Sequence, residues 1–125
     1  MISLQELNPH AYPTTPTIDA NLAELLKRIN VVRTEWAQPM GVSSGLRSQA
    51  DQDALIAHGK SNAFHSNHLT GSAVDIADPL GQLQRYLKLN PSVLEKAQLW
   101  CEEATKGWCH FQTVRPKSGN RWFYA

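Results

Sequence analysis

Five histidines are the residues of this chain best suited to metal or acid–base chemistry, and their settings differ. His10 lies in a proline-containing opening and His58 at the end of a helical stretch, so both are expected on the surface. His65 and His68 share a polar loop, whereas His110 stands in an apolar stretch between Cys109 and Phe111. A single strand histidine is more often a hydrogen-bonded core residue than a ligand. The neighbourhood of His68 changes that balance. Ser66 to Asp75 reads S-x-H-x-x-G-x-A-x-D. Gly71 disfavours a helix across this block. A loop turning at Gly71 into a strand can instead bring the His68 ring back toward Asp75. Ala73 shares the strand face of Asp75 and leaves room beside it. Imidazole and carboxylate are both zinc ligands, but catalytic zinc wants three protein ligands and one open position. His110, in a strand near the chain end, is the natural third. Such a donor set lets zinc acidify a bound water toward a pKa of ~7 and polarise a carbonyl.

On these residues the chain resembles the zinc D-Ala-D-Ala carboxypeptidases and L-alanyl-D-glutamate endopeptidases of the hedgehog/DD-peptidase fold. Three blocks carry the resemblance in family order: Ser44-Gly45-Leu46-Arg47-Ser48, the Ser66 to Asp75 block, and W-x-H-F-Q at Trp108 to Gln112. The first 40 residues match nothing specific in it. The resemblance implies His68, Asp75 and His110 as Zn2+ ligands. It implies Arg47 as a substrate-facing catalytic residue, stabilising an oxyanion or gripping a carboxylate with its planar fork. It also implies a peptidoglycan stem peptide as substrate and, for a compact chain, a use like that of bacteriophage lysis proteins. Ser66, Trp108 and Gln112 are the candidates for substrate binding. Ser66 is equally suited to bracing its loop. Gln112 and Trp108 share a strand face with His110, so Gln112 could line the cleft or orient the histidine. Trp108 could wall the pocket or simply pack in the core.

One position departs from the family pattern, which has an acidic general base three residues before the last zinc histidine. Here that position is Gly107. The nearest carboxylates, Glu102 and Glu103, lie eight and seven residues before His110 and are expected on the preceding helix. Glu103 is taken as the catalytic candidate. Loss of a general base costs about 10²–10⁴ in rate. The alternative reading is therefore a non-catalytic zinc-binding relative, such as a phage virion or cell-wall-binding protein. An acidic side chain within reach of the open zinc position separates the two.

The elements that must position these residues are readable from periodicity. After an extended lead-in over residues 1–16, Thr17 should cap an amphipathic helix with Ile18, Leu22, Leu25, Leu26, Ile29, Val32 and Trp36 on one face, ended by Pro39. Met40 to Ser44 predicts a short strand, and Ser48 with Asp51 starts a helix from Gln49 to His58. A polar loop runs from Lys60 to Gly71, and Ser72 to Ala77 alternates as a strand. Leu80, Leu83, Tyr86 and Leu87 mark a second amphipathic helix. Ser92 and Glu95 predict a capping box for a third, running to about Thr105. Trp108 to Val114 and Arg121 to Tyr124 read as strands around a turn at 117–120. The mixture lacks regular β-α-β alternation, which favours an α+β fold with a small, mainly antiparallel sheet flanked by helices.

The bulk properties agree with one domain over residues 1–125. The 125-residue length can bury a core without staples. A net charge of +1, with 12 basic and 11 acidic residues scattered, points to neither nucleic acid nor an anionic membrane. No opening apolar run resembles a secretory signal, so synthesis in the cytoplasm and later access to the cell wall, after release or in a phage particle, are expected. A monomer is expected. Cys101 and Cys109 fit no zinc spacing and read as small buried core residues.

Overall fold

A computed structural model of the chain describes residues 1–60 and 66–124. His65 and the first part of the expected 60–71 loop lie outside the described residues. The elements are helix α1 (Leu4–Leu7), helix α2 (Pro16–Trp36), strand β1 (Val42–Ser44), helix α3 (Gln49–Ala57), a 3₁₀ turn (Asn67–Thr70), strand β2 (Ala73–Asp78), helices α4 (Gln82–Leu89) and α5 (Ser92–Ala97), and strands β3 (Trp100–Glu102), β4 (Gly107–Gln112) and β5 (Trp122–Phe123). The five strands form one sheet in the order β1-β2-β4-β3-β5, antiparallel except for the β3/β5 pair. This is the α+β architecture read from the sequence. No described helix is long and apolar enough to cross a membrane.

The sheet has one face for the core and one for chemistry. Val74 and Ile76 of β2, Cys109 and Phe111 of β4, and Cys101 of β3 are buried in one cluster with Leu22, Leu25, Ile29 and Val32 of α2. Alternation along the strands turns Ala73 and Asp75, Trp108, His110 and Gln112, and Trp100 and Glu102 to the opposite face. Both cysteines are free and buried, as expected, and burial pushes both thiols up in pKa.

Four expectations are corrected. The opening is not merely extended: Ser3 and Glu6 form a capping box for α1, and Leu7 is completely buried. Helix α2 is capped at Thr15, two residues before the expected Thr17. Thr15 accepts a bond from the Ile18 amide, and Pro16 sits at the first helical position, where its missing N–H costs nothing. The helix then ends at Ala37, in the left-handed region, before Pro39 is reached. The expected helix to Thr105 stops at Ala97, with Pro91 rather than Ser92 at its cap and no side-chain capping bond. Gln98 turns left-handed, and β3 pairs with β4, burying Leu99 and Cys101. Strand pairing with a core face thus outweighs local helix propensity.

Candidate metal centre

Three elements deliver the donors. The Ser66 hydroxyl accepts from the His68 amide at 3.2 Å and starts the 3₁₀ turn. Gly71 closes the turn at φ +75°, where a Cβ would lie 2.8 Å from Cγ of Leu22. The turn therefore seats directly on α2, and His68 is buried against the sheet. Asp75 lies mid-strand in β2 and is directly opposite His110 in β4. Potential ligand atoms of His68, Asp75 and His110 all lie within 4.8 Å of one another. Asp75 Oδ1 is 2.8 Å from His110 Nδ1 and 3.3 Å from His68 Nε2.

The outward atoms of all three groups are held by the protein. His68 Nδ1 is 2.9 Å from the Gly45 carbonyl. A carbonyl only accepts, so Nδ1 carries a proton there, and Nε2 is the ring nitrogen left to face Asp75 Oδ1. His110 Nε2 is 2.9 Å from Gln112 Oε1. The Gln112 amide donates from Nε2 to the Val114 carbonyl at 2.7 Å, and its Oε1 also accepts from Asn67 Nδ2 at 3.2 Å. Its oxygen therefore faces His110, which donates from Nε2 and leaves Nδ1 inward. Arg47 Nη2 holds Asp75 Oδ2 at 3.3 Å, leaving Oδ1 toward the imidazoles. Three electron-pair donors aimed at one place need a proton or a cation between them. Two imidazoles and one carboxylate, each braced from behind, fit a divalent transition metal.

The electrostatics follow from this packing. Burial pushes the Asp75 carboxyl up, but hydrogen bonds from His110 and His68 and their charge outweigh it and hold it well below the usual range. Burial pushes His110 down, yet the bond and charge of Asp75, with smaller contributions from Gln112 and Glu102, leave it raised. Arg47 is lowered by burial, opposed by the charges of Asp75 and Asp51.

The other predicted site residues divide. Arg47 joins the cluster, but as a brace: beyond Asp75 it bonds Ser44 Oγ at 3.0 Å and Gln52 Oε1 at 3.1 Å. Gln112 is buried behind His110. Trp108 lies on the same face opposite Ala77, and is 40% exposed. Ser66 braces the turn through its hydroxyl. Glu103 is not brought to the cluster: its carboxylate pairs with Lys88 of α4, and neither glutamate lies on a helix. Sequence reasoning missed the Gly45 carbonyl, Asn67 and the placement of Glu102. No local pattern marked the last, because it follows from the pairing of β3 with β4.

Comparison with known proteins bears on this arrangement. A family model described as Peptidase M15 matches residues 1–110, including the opening that carried no specific resemblance. Among solved structures, the Serratia marcescens L-Ala D-Glu endopeptidase ChiX is similar with a TM-score of 0.61 at 23% identity, over 91% of this chain and 99% of that one. At that identity the likeness speaks for the fold, which is the hedgehog/DD-peptidase type expected from the motifs. No curated protein sequence matches the chain.

Proposed function

Because the chain belongs to the peptidase M15 family, we propose that it is a zinc-dependent peptidase hydrolysing peptide bonds in peptidoglycan stem peptides. The observation that carries this reading is the convergence of His68 Nε2, Asp75 Oδ1 and His110 Nδ1, with each outward atom held by Gly45, Arg47 or Gln112. Bound zinc supplies Lewis-acid chemistry, acidifying water and polarising a carbonyl. The chain's own residues prepare that chemistry. Arg47 keeps one carboxylate oxygen of Asp75 occupied, so the other is presented to the metal. Gln112 selects the His110 tautomer, and Gly45 that of His68. The half-exposed Trp108 ring offers an apolar wall on the open side of the face.

The substrate class rests on the family together with the fold of an endopeptidase named for the L-Ala–D-Glu bond. That bond is the first to test, and a lysin-like use fits the reading. Purified peptidoglycan is incubated with chelator-treated protein, with and without added zinc, and new amino termini are counted. Zinc should restore release in the wild-type protein. His68→Ala should bind zinc at least about tenfold more weakly and release little. Equal release by both proteins would remove the metal mechanism.

A further inference from the structure

We propose that Arg121, laid on the Trp100 ring, sets substrate specificity by binding a free carboxylate of the peptide two to three residues beyond the scissile bond; this rests on the peptidase reading above. Both residues belong to the sheet face that carries the candidate metal cluster. Trp100 pairs with Gln112. In β5, Trp122 pairs with Cys101 and packs against the core, so alternation turns Arg121 and Phe123 the other way. The Phe123 ring agrees with this placement, standing edge-on to His110 with centroids 6.2 Å apart. Residues 111–124 lie beyond the stretch matched by the family model, so it assigns nothing to this part of the face.

Arg121 is a cation held in place and left without an anion. Its Cζ lies 4.5 Å from the centroid of the Trp100 ring, and Nη1 donates to the Leu99 carbonyl at 3.2 Å. Among the described residues no carboxylate pairs with it. A guanidinium carries more N–H donors than that one bond uses, in a planar fork that matches a carboxylate. Stacking fixes the side chain before binding, which lowers the entropy cost of engaging an anion. Arg115 and Lys117 are exposed and likewise unpaired among the described residues, and the stretch 113–121 contains no acid. Three of the chain's 12 Lys and Arg residues thus fall between 115 and 121, in a protein whose net charge is only +1. They raise the positive potential on the approach to Arg121.

Spacing selects which carboxylate is bound. By the strand register, Arg121 is two strands and two residues from His110. With about 4.8 Å between strands and about 3.3 Å per residue, their backbones lie roughly 12 Å apart. An extended peptide covers that distance in about three residues. The Arg121 side chain reaches back over Trp100 of the intervening strand, which shortens the span toward two. The amino end of a stem peptide is joined to the glycan by an amide and offers no carboxylate, so the bound group lies on the leaving-amine side. Arg121 makes and breaks no bond; it holds the peptide across the sheet.

The test uses full-length, zinc-loaded protein and the synthetic peptide L-Ala–γ-D-Glu–L-Lys–D-Ala, ending in either a carboxylate or a carboxamide. Wild type, Arg121→Gln, Arg121→Lys and, as a control on α2, Lys27→Gln are compared in kcat, KM and zinc affinity. Calorimetry on chelator-treated protein measures binding of both peptides without turnover. Wild type should bind the carboxylate peptide about tenfold more tightly than the carboxamide. Arg121→Gln should abolish that preference, raising KM about tenfold for the carboxylate peptide alone, with kcat and zinc affinity within about threefold of wild type. Arg121→Lys keeps the charge without the fork and should retain part of the preference. Lys27→Gln should match wild type. Equal wild-type affinity for the two peptides overturns the proposal. So does a loss in Arg121→Gln that falls equally on both peptides, the mark of a purely structural brace. Should Arg121→Gln fail to fold, Arg121→Lys decides, and full wild-type preference in it overturns the proposal. Failure of wild type to cleave either peptide or purified peptidoglycan overturns the peptidase reading, and the specificity role with it, whatever the binding result.

Discussion

His110 stands between two acceptors, Asp75 Oδ1 at 2.8 Å and Gln112 Oε1 at 2.9 Å, so without metal it retains both ring protons. Its pKa is raised above the ordinary 6.5, whereas that of Asp75 is held below 3.8. Metal must displace the Nδ1 proton while Asp75 is already ionised. Zinc affinity, measured against a competing chelator, should therefore fall about tenfold per pH unit below the raised His110 value and level off above it. The metal-free protein should show the opposite trend at the alkaline end. A raised histidine stabilises the fold fully below its unfolded value, and that contribution is lost as pH rises through its folded value. A depressed carboxylate stabilises above its unfolded value and loses this as pH falls through its folded value. Urea unfolding of metal-free protein should thus show greatest stability between the unfolded values of Asp75 and His110. A metal-free protein equally stable well above the His110 value would contradict this assignment. At this scale the clustering of the three candidate ligands was legible, because donor type and local spacing marked them. The role of Arg47 was not, because its partner Asp75 lies 28 residues away.

At the scale of elements, the site depends on the strip after β1. The Gly45 carbonyl orients His68, and the Leu46 amide donates to the Leu7 carbonyl at 2.8 Å. A Cβ at position 45 would lie 2.3 Å from that same Leu7 oxygen. Gly45→Ala must therefore push α1 and the strip apart. It should cost about 1–3 kcal/mol in urea unfolding, as overpacking does, and weaken zinc binding as the His68 brace shifts. Unchanged stability and affinity would show that the strip can relax freely. The capping boxes at Ser3 and Ser48 were both written locally, although only the second was read as a helix start. The end of α5 was not readable in this way. Residues 98 to 105 have acceptable helix formers, and only pairing with β4 makes a strand the better use of Leu99 and Cys101.

Across the whole molecule, the sheet separates a buried hydrophobic face from a polar face carrying the candidate metal cluster, and the N-terminal segment packs onto the core and α2. Leu7 is fully buried in the core, and the Asn30 side chain bonds both backbone groups of Ile2 at 2.8 and 3.0 Å. Tyr12 bonds Asp51 of α3, beside the Arg47 strip. Leu7→Ala should destabilise the protein by about 2–5 kcal/mol, the range for deleting a buried leucine side chain. Thermal unfolding of metal-free protein should show the loss, and saturating zinc should offset part of it through binding to the folded state. A Leu7→Ala protein as stable as wild type would mean that the opening segment does not belong to the core.

By itself the sequence pointed to His68, Asp75 and His110 as one cluster, and to the amphipathic helices and the α+β class. These follow from donor chemistry, spacing within ten residues, and periodicity, all of which are local. Tertiary structure alone decided that Glu102 rather than Glu103 faces the metal side, that Arg47 braces Asp75, and that the opening packs as α1. Each depends on strand register or on contacts between distant segments. A shift of one residue in register would exchange the two glutamates between faces, and no local pattern in 98–105 specifies that register.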